Sequence, residues 1–427
     1  QARWLPTWNV SGSWNAHEEN WWAPTFGKAW TYASLKASYS LTADRGPASN
    51  SLAVFQSFTP WRPSTSANES AIILAALENS ELTYEKKNEL NIGVALGFVD
   101  NRINVEFDWY RRNNFDLIGY TQTMGVGGVT TKLANDATME STGCEFTIST
   151  TNIKTKDFKW TTDWIFGWAE NTITKLDSRS QVYSLVNGVG RTEGRPIGAL
   201  YSIPFAGLTE EGLPTFYIDA EHTQVVGPGN YADIYFQEYE NIDYLKYEGT
   251  IDPKITGSFG NTFSWKGLKL NVFFTYSFGN VLRLDNLCPV YSSDYSDLTA
   301  SMKEMKNRWM VPGDENVTTI PSIPTVRQMR EIDALNNAYS AYNYSTERVA
   351  KGDFIRLKEL SLAYDLPKKY FEGQNAVSSF GVKLSATNLW LAYADKKLNG
   401  RDPEYYNTGG VSSPVPRQFT LTVKLGF

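Results

Sequence analysis

The last strand of the chain limits the possible folds more than any other segment. From Phe419 to Phe427 aromatic and aliphatic side chains alternate with Thr, Lys and Gly. Side chains of a β-strand point to opposite faces at every second residue, so this segment has one apolar face and one polar face. Because termini usually fray, such an apolar last strand is expected to be held by other structure. A membrane β-barrel and the buried edge of a soluble β-sandwich both satisfy that requirement.

Composition favours the membrane barrel. Aromatic residues make up 14% of the 427 residues, yet the hydrophobic fraction is only 41% and the mean hydropathy is −0.37. No apolar run reaches the length of about 18 residues that suggests a membrane-spanning helix. In a membrane barrel only alternate residues face lipid, while Trp and Tyr concentrate at the two interfaces. A net charge of −6 without a Lys/Arg cluster predicts that nucleic acid is not a partner.

Eleven segments show strand patterns, and the lengths of the links between them alternate. The predicted strands are 7–14, 30–41, 89–98, 102–111, 140–151, 157–168, 254–265, 267–278, 354–364, 380–387 and 419–427. Short links fall at 15–29, 99–101, 152–156, 266–267 and 366–379, and long links at 42–88, 112–139, 169–253, 279–353 and 388–418. Barrels with short periplasmic turns and long extracellular loops show this alternation. The strand-like segment 51–58 would break it and is therefore placed inside a long outer loop.

The number of strands predicts that the chain does not form a closed barrel by itself. Eleven is odd, whereas bacterial single-chain barrels have an even number of strands. Half of a transporter of about 22 strands with a plugged lumen would account for the count. The chain also starts at Gln1 without an export signal. We therefore expect residues 1–427 to be the C-terminal half of such a barrel, with the signal peptide, the plug and the first barrel half elsewhere.

Strand 353–365 contains a change of phase. Ile355 and Leu357 lie on one face, and Leu360 and Leu362 lie on the opposite face of a regular strand. One extra residue would bring all four to the same side. The pattern predicts a β-bulge near Lys358 and Glu359.

Residue types that carry catalysis or bind metals are scarce. Only His17 and His222 are present, and His17 is interpreted as a solvated turn residue. Cys144 and Cys288 are far apart, without metal-ligand spacing, so neither a metal site nor a disulfide is predicted. The glycines of 125–128 lack the context of a phosphate-binding loop. Carboxylate pairs such as 210/211 and 238/240 are interpreted as solvated loop residues. The chain is expected to be no enzyme and to use no cofactor.

Aromatic side chains in two outer loops are the candidates for contact with substrate or with a lid protein. Aromatic faces stack on sugar rings and pack against peptide side chains, so these loops suit either substrate class. The interfacial girdle and simple packing are the alternatives. The candidates are Tyr231, Tyr235, Phe236, Tyr239, Tyr244 and Tyr247 in one loop and Tyr339, Tyr342 and Tyr344 in the other. The strand cations Lys269, Arg356, Lys358, Lys383 and Lys424 are interpreted as solvated lumen residues rather than as partners of a plug or solute.

An ordered series of short motifs resembles the SusC/RagA-like TonB-dependent outer-membrane transporters of Bacteroidetes. The resemblance extends from about residue 4 to 427. Each motif is weak by itself, and their order makes the resemblance specific. The motifs are LTYEKKNELNIG at 82–93, NRI at 101–103, WYRR at 109–112, DLI at 116–118, GALY at 198–201, FAGL at 205–208, GLP at 212–214, WKG at 265–267, DFIRLKELSL at 353–362, NL at 388–389, DPE at 402–404 and the terminal strand.

The resemblance implies a function, partners and a location. Members of this family import glycans, oligosaccharides or peptides across the outer membrane of Gram-negative bacteria, with energy delivered by TonB. A SusD-like lipoprotein covers the barrel mouth as a hinged lid, and the plug and the N-terminal barrel half complete the wall. Many relatives carry a DxNxDG-like stretch after the GLP region. The segment 231–240 lacks those spaced acids and the glycine, so no calcium site is predicted.

Two other functions remain open at the level of sequence. A passive porin or a secretion barrel has the same wall, so wall residues alone do not exclude it. A secreted all-β carbohydrate-binding protein would use exposed Trp as sugar platforms. That protein would be soluble without detergent and would show no alternation of loop lengths.

Overall fold

The computed structural model describes residues 5–27, 29–44, 52–60, 70–126, 128–287, 303–367, 370, 377–406 and 416–427. The strands are β1 (Trp8–Trp14), β2 (Trp30–Asp44), β3 (Val54–Phe58), β4 (Ala71–Ala76), β5 (Glu85–Phe98), β6 (Ile103–Gln122), β7 (Thr131–Lys154), β8 (Phe158–Leu176), β9 (Ala199–Ser202), β10 (Phe205–Leu208), β11 (Pro214–Tyr217), β12 (Val225–Val226), β13 (Lys246–Thr250), β14 (Ile255–Trp265), β15 (Leu268–Phe278), β16 (Val281–Arg283), β17 (Val349–Lys351), β18 (Phe354–Asp365), β19 (Ser379–Ala394) and β20 (Gln418–Gly426).

The helices are short. The α-helices are α1 (Trp22–Thr25), α2 (Val182–Val186), α3 (Val326–Glu331) and α4 (Leu335–Asn343). Short 3₁₀ helices are formed by Ala16–Glu18, Tyr231–Asp233, Lys303–Asn307, Asp314–Asn316, Thr346–Arg348, Lys396–Leu398 and Pro403–Tyr405. Within the described ranges, none of these helices has the length and apolar character that a membrane crossing requires.

Eleven strands form one antiparallel sheet, and they are the eleven predicted from the sequence. Their order is β1-β2-β5-β6-β7-β8-β14-β15-β18-β19-β20. Neighbours in the sheet are therefore also successive barrel strands in the chain, as an up-and-down arrangement requires. The prediction of eleven long antiparallel strands is confirmed.

Several strands are longer than predicted, and the long link 112–139 was placed wrongly. β6 continues to Gln122 and β7 begins at Thr131, so only 123–130 connects them. The apolar alternation ends earlier because the extended parts of these strands carry charged side chains. In the added parts of β5 and β6, Lys86 Nζ lies 2.6 Å from Asp116 Oδ2. The hydrogen-bonded ladder thus continues where the lipid-facing pattern stops.

The other expectations for the outer connections concern 51–58 and the glycines of 125–128. β3 pairs with β4 in a separate two-stranded sheet, so the segment is not a wall strand, as expected; Ser51 lies outside the described residues. Gly125 and Gly128 adopt positive φ angles in the connection between β6 and β7, where Gly128 N donates to Gly125 O. The positive φ angles and this hydrogen bond agree with a turn rather than a phosphate-binding loop. Gly127 and Cys288 also lie outside the described residues.

The chain divides into two compact units that are interleaved in sequence. The first comprises 1–147, 167–179 and 191–197. Within it, Leu35 of β2 pairs with Val94 of β5, which pairs with Phe107 of β6. This row is apolar, and the side chains of Leu35 and Phe107 are 43% and 39% exposed. The next row, which includes Gly93 and Asp108, points to the opposite face and is polar. The register therefore produces the two-faced sheet that the alternation predicted.

The second unit comprises 148–166, 180–190 and 198–427. Its wall strands also have an apolar face. One row of that face consists of Leu270, Leu362, Leu384 and Leu421 on β15, β18, β19 and β20. Leu421 is 67% exposed. Between the wall strands, the long outer connections form a separate apolar core of their own.

The bulge predicted in strand 353–365 is confirmed. In the pairing of β15 with β18, Phe273 faces Glu359 and Phe274 faces Leu357, so Lys358 is the extra residue. The pairing of β18 with β19 shifts at the same place. The bulge puts Leu357 and Leu360 on the same face of the sheet.

Aromatic side chains cover a glycine on the apolar face of β14. The Tyr276 hydroxyl donates to the Ile165 carbonyl oxygen at 2.9 Å and accepts from Trp164 Nε1 at 2.9 Å. Tyr276 is paired with Gly257, and a Cβ on Gly257 would overlap both that hydroxyl and the Ile165 oxygen. The absence of a side chain at Gly257 is therefore what permits this hydrogen-bonded aromatic pair.

A lysine on the apolar face of the wall should be much less tolerated than one on the polar face. Phe107→Lys places an ammonium group where lipid is expected and should lower the free energy of unfolding by about 2–4 kcal/mol. Glu106→Lys lies one residue away, on the opposite face, and should have a small effect. Denaturant titration of the full-length protein refolding into lipid vesicles measures both. Equal losses for the two variants would contradict the two-faced wall.

Gly257→Ala should destabilise the protein by about 1–3 kcal/mol, because the new methyl group overlaps fixed atoms. The control is Gly12→Ala in β1, where a Cβ meets no atom within 4 Å. That variant should stay within about 0.5 kcal/mol of the parent. The same denaturant titration measures both variants. Equal losses in the free energy of unfolding would contradict the prediction.

Candidate functional site

The candidate site lies in the outer connections of the second unit, where nine aromatic residues were predicted to contact substrate or lid. These connections fold around one core that joins α2, β9, β11, β13 and α4. Its fully buried members include Val182, Ile203, Leu213, Phe216 and Ala338. Because the segments bury apolar side chains against each other, they form a packed layer rather than independent loops.

Four of the nine predicted residues belong to this core. Tyr231, Tyr244, Tyr339 and Tyr342 are between 0% and 6% exposed. The Tyr231 hydroxyl donates to the Pro214 carbonyl oxygen at 2.8 Å, and the Tyr339 hydroxyl donates to the Ser322 carbonyl oxygen at 2.7 Å. Tyr342 packs edge-on against Phe205 at 5.7 Å between ring centroids. These side chains hold the layer together and do not offer a face to a ligand.

Burial also changes the acidity of two of these phenols. It raises the pKa of Tyr244 to about 12, with the negative charge of Glu238 as the smaller cause. Burial raises the pKa of Tyr231 as well. A phenol that remains neutral keeps its hydroxyl proton for hydrogen bonding to a carbonyl oxygen. The shifts therefore agree with a structural role.

The remaining predicted residues are accessible. Tyr235 is 56% exposed, while Phe236, Tyr239, Tyr247 and Tyr344 are half-buried. The Tyr344 ring lies 5.9 Å from the Phe236 ring, and Tyr247 packs at 5.6 Å against Tyr201. Gln181 Nε2 donates to the Tyr239 hydroxyl. We call Tyr183, Tyr235, Phe236, Tyr239 and Tyr344 the aromatic rim, and Tyr247, which packs against Tyr201, is not counted in it.

Tyr183 belongs to the aromatic rim but was not predicted. It is 52% exposed on α2, and its ring lies 6.2 Å from the Tyr344 ring. Its backbone N–H donates to the Phe236 carbonyl oxygen at 2.8 Å. The sequence signal was the pattern Val182, Leu185 and Val186, which faces the core and leaves Tyr183 on the outer side of the same turn.

A half-buried arginine, also missed from the sequence, holds the segments that carry the aromatic rim. Arg283 of β16 donates to the carbonyl oxygens of Ser345 at 2.9 Å and Val186 at 3.1 Å, and to that of Tyr201. Its guanidinium lies 5.9 Å from the Tyr344 ring. Burial lowers the pKa of Arg283 to about 10, and the opposing effect of Glu248 is smaller. The side chain thus remains charged near neutral pH and connects three separate segments.

Glu238, one of the predicted carboxylate pair 238/240, lies in a turn and caps backbone N–H groups. Glu238 Oε1 accepts the backbone N–H groups of Tyr239 and Glu240, both at 2.8 Å. These bonds hold the pKa of Glu238 below its usual range. A general acid of a glycosidase needs the opposite shift. In the described part of the chain, no group of three or more His, Cys, Asp or Glu side chains could hold a metal ion.

The interpretation of Arg356 as a simply solvated residue was wrong. Arg356 of β18 is buried and forms an ion pair with Asp402, and its Nε lies 3.2 Å from Glu404 Oε2. Lys358 Nζ lies 3.9 Å from the other oxygen of Glu404. The DPE motif at 402–404 therefore serves to attach an outer connection to the wall.

The predicted turn at His17 is more ordered than expected, since His17 Nδ1 lies 2.9 Å from the Ala33 carbonyl oxygen.

Comparison with known proteins supports the family resemblance. No family model matches the chain. TonB-dependent receptor P3 of Formosa agariphila is 26% identical over 460 residues, covering 97% of this chain and 43% of the receptor. SusC of Bacteroides thetaiotaomicron, a TonB-dependent receptor, is 34% identical over 99 residues, covering 23% of this chain and 10% of SusC. The chain thus spans less than half the length of these relatives, which are receptors rather than enzymes.

The fold is that of a solved transporter. The structure of the RagAB peptide transporter superposes with a TM-score of 0.73 at 23% identity, covering 99% of this chain and 43% of that chain. Its closed state, described as a peptide importer, gives 0.74. At this identity the likeness establishes the barrel fold. Taken with the relatives named above, the chain matches a SusC/RagA-like TonB-dependent transporter over the C-terminal part of such a protein.

Proposed function

We propose that the whole protein imports a nutrient across the outer membrane of a Gram-negative bacterium, with energy delivered through TonB. The observation that carries this proposal is the match to TonB-dependent receptors along 97% of the chain. Residues 1–427 would be the C-terminal half of the barrel domain and would supply about half of its wall and outer loops. The eleven-stranded sheet and the 43% share of the matched receptor support this assignment.

The exposed side chains support a position in the membrane. Phe419, Leu421, Val423 and Leu425 of β20 are 52–70% exposed on one face. Such a continuous apolar surface is costly in water and favourable against lipid. A secreted carbohydrate-binding protein would bury that face inside a sandwich, and this alternative is therefore less favoured.

The substrate is proposed to be a glycan, an oligosaccharide or a peptide, captured between the barrel mouth and a SusD-like lipoprotein lid. The aromatic rim supports either class, because its rings can stack on sugars or pack against peptide side chains. The RagAB relative is named a peptide transporter, while the SusC and Formosa relatives are named only as receptors. The plug and the first barrel half would complete the path through the wall.

Dependence on TonB separates active import from a passive porin or secretion barrel, which share the same wall. Uptake of the nutrient by cells that express the full-length protein should fall to background when TonB is inactivated. The control is the surface abundance of the protein, which should not change. Uptake that persists without TonB would favour the passive porin.

Substitutions in the aromatic rim should weaken uptake without affecting folding. Tyr235→Ala removes an exposed ring, and one lost stacking contact of about 0.5–1.5 kcal/mol should raise the half-saturating nutrient concentration about two- to tenfold. Tyr120→Ala is the matched control, since Tyr120 is 70% exposed on β6 and was not predicted to bind. Uptake at several nutrient concentrations measures both variants.

Tyr231→Ala should behave differently, because it leaves a cavity in the core of the outer connections. The expected loss of about 3–5 kcal/mol in the free energy of unfolding should appear as reduced surface abundance rather than altered affinity.

The prediction for the aromatic rim has its own contradicting outcome. If Tyr235→Ala and Tyr120→Ala give the same uptake curve, the aromatic rim is not the contact surface.

A further inference from the structure

The negative charge of the chain is concentrated in the connection that carries most of the aromatic rim. Residues 198–250 contain nine Asp and Glu residues but only one basic residue, Lys246. The whole chain has 46 acidic and 40 basic residues, so 37 acidic and 39 basic residues lie elsewhere. The net charge of −6 at pH 7 therefore comes entirely from 198–250, and the rest of the chain is slightly positive.

Most of these carboxylates are not neutralised by a basic partner. Glu248 is an exception, because Lys246 Nζ lies 3.1 Å from Glu248 Oε2. Among the residues that the structure describes, five exposed carboxylates of this connection take part in no ion pair: Glu210, Glu211, Glu221, Asp233 and Asp243. Their charges are thus open to the solvent and to a ligand that approaches the connection.

Hydrogen bonds keep two further carboxylates ionised. The backbone N–H groups of Thr223 and Gln224 donate to Asp219 at 2.9 and 2.7 Å, and they hold the pKa of Asp219 below its usual range. Glu238 accepts two such bonds, with the same effect on its pKa. Backbone N–H groups stabilise the charged form of a carboxylate. The surface of 198–250 is therefore negative at neutral pH.

One of the unpaired acids lies beside a ring of the aromatic rim. Ile234 is 2% exposed and has an extended backbone, with φ −79° and ψ 98°. Side chains of an extended segment alternate between two sides, so the two neighbours of Ile234 point away from the core. Asp233 and Tyr235 are indeed both exposed. Residues two apart in such a segment are separated by about 6–7 Å, so the carboxylate and the ring share one side of it.

This combination favours a positively charged ligand. The face of an aromatic ring attracts an ammonium or guanidinium group, and a carboxylate forms charge-assisted hydrogen bonds with either. A surface with one sign of charge also raises the association rate of ligands of the opposite sign. The positive charge already at the rim is engaged, since Arg283 contacts the Tyr344 ring and donates to three carbonyl oxygens.

We propose that the aromatic rim captures nutrients that carry ammonium or guanidinium groups, in preference to neutral or acidic nutrients of the same size. The exposed rings supply the contact, and the unpaired carboxylates select the charge. This inference rests on the proposed function, in which the aromatic rim is the substrate surface. Lysine and arginine side chains of peptides carry such groups, and so do amino sugars.

Binding of matched probes to the purified full-length protein in detergent tests the proposal. One set is a lysine-rich peptide, the same peptide with acetylated lysines, and a peptide with glutamate in their place. The other set is a glucosamine oligomer and its N-acetylated form. Each cationic probe should bind about tenfold more tightly than its acetylated form at about 0.01 M salt. The preference should decline at about 1 M salt, where charges are screened within about 3 Å.

Variants without charge locate the preference. Asp233→Asn/Asp243→Asn retains the size of both side chains and should reduce the preference for cationic probes about two- to tenfold. The control is Glu18→Gln/Asp100→Asn, which removes two exposed acids in the short links 15–29 and 99–101 and should leave the preference unchanged. Equal effects of the two double variants would overturn the assignment to the aromatic rim.

The two sets of probes distinguish the sources of the cationic group. A preference within the peptide set alone assigns a basic peptide, one within the sugar set alone assigns an amino sugar, and a preference within both assigns charge as the criterion. Cationic probes that bind no better than their acetylated forms, or not at all, would overturn the proposal.

Failure of this inference is distinguishable from failure of the proposed function, because binding to the purified protein needs no TonB. Uptake that depends on TonB, without a preference for cationic probes, would contradict only this inference. A preference for cationic probes in a protein whose uptake persists without TonB would contradict only active import.

Discussion

Pairing of backbone groups is the constraint on which the rest of this structure depends. In a wall that faces lipid, each N–H and C=O group must find its partner on a neighbouring strand, because no water is available. The sheet meets this requirement by joining successive wall strands in antiparallel register. The same register places Leu270, Leu362, Leu384 and Leu421 in one row. At Lys358 a single residue leaves the ladder, and the apolar face stays continuous only because of that bulge.

The outer connections satisfy the same constraint with side chains. Several carbonyl oxygens of these connections accept from tyrosine hydroxyls or from Arg283. Leaving one buried carbonyl without a donor would cost about 1–3 kcal/mol. Much of the tyrosine content of these connections therefore stabilises the fold. Among the described residues of these connections, the rings of the aromatic rim lie at the surface of this network.

The sequence was sufficient for the wall and insufficient for the loops, for a physical reason. Alternation identified the eleven strands and the phase change at Lys358 because side-chain period and lipid contact are both local properties. It misplaced the junction of β6 and β7, since the ladder continues beyond Arg111 with charged residues on both strands. Alternation also did not separate Tyr231 from Tyr235, because tyrosine suits a core and a surface equally well. That distinction depends on tertiary contacts, since the Tyr231 hydroxyl donates to the Pro214 carbonyl oxygen, which lies 17 residues earlier in the chain.

The charges on the polar face show how an outer connection becomes part of the wall. Arg356 is buried, and a single buried cation would be costly unless carboxylates accompany it. Asp402 and Glu404 supply them from the connection 395–406, so that connection is held against β18. Removing both carboxylates would leave the arginine uncompensated, at a cost of about 3–5 kcal/mol. These ion pairs restrain 395–406 against β18, so the buried arginine and the outer connection depend on each other.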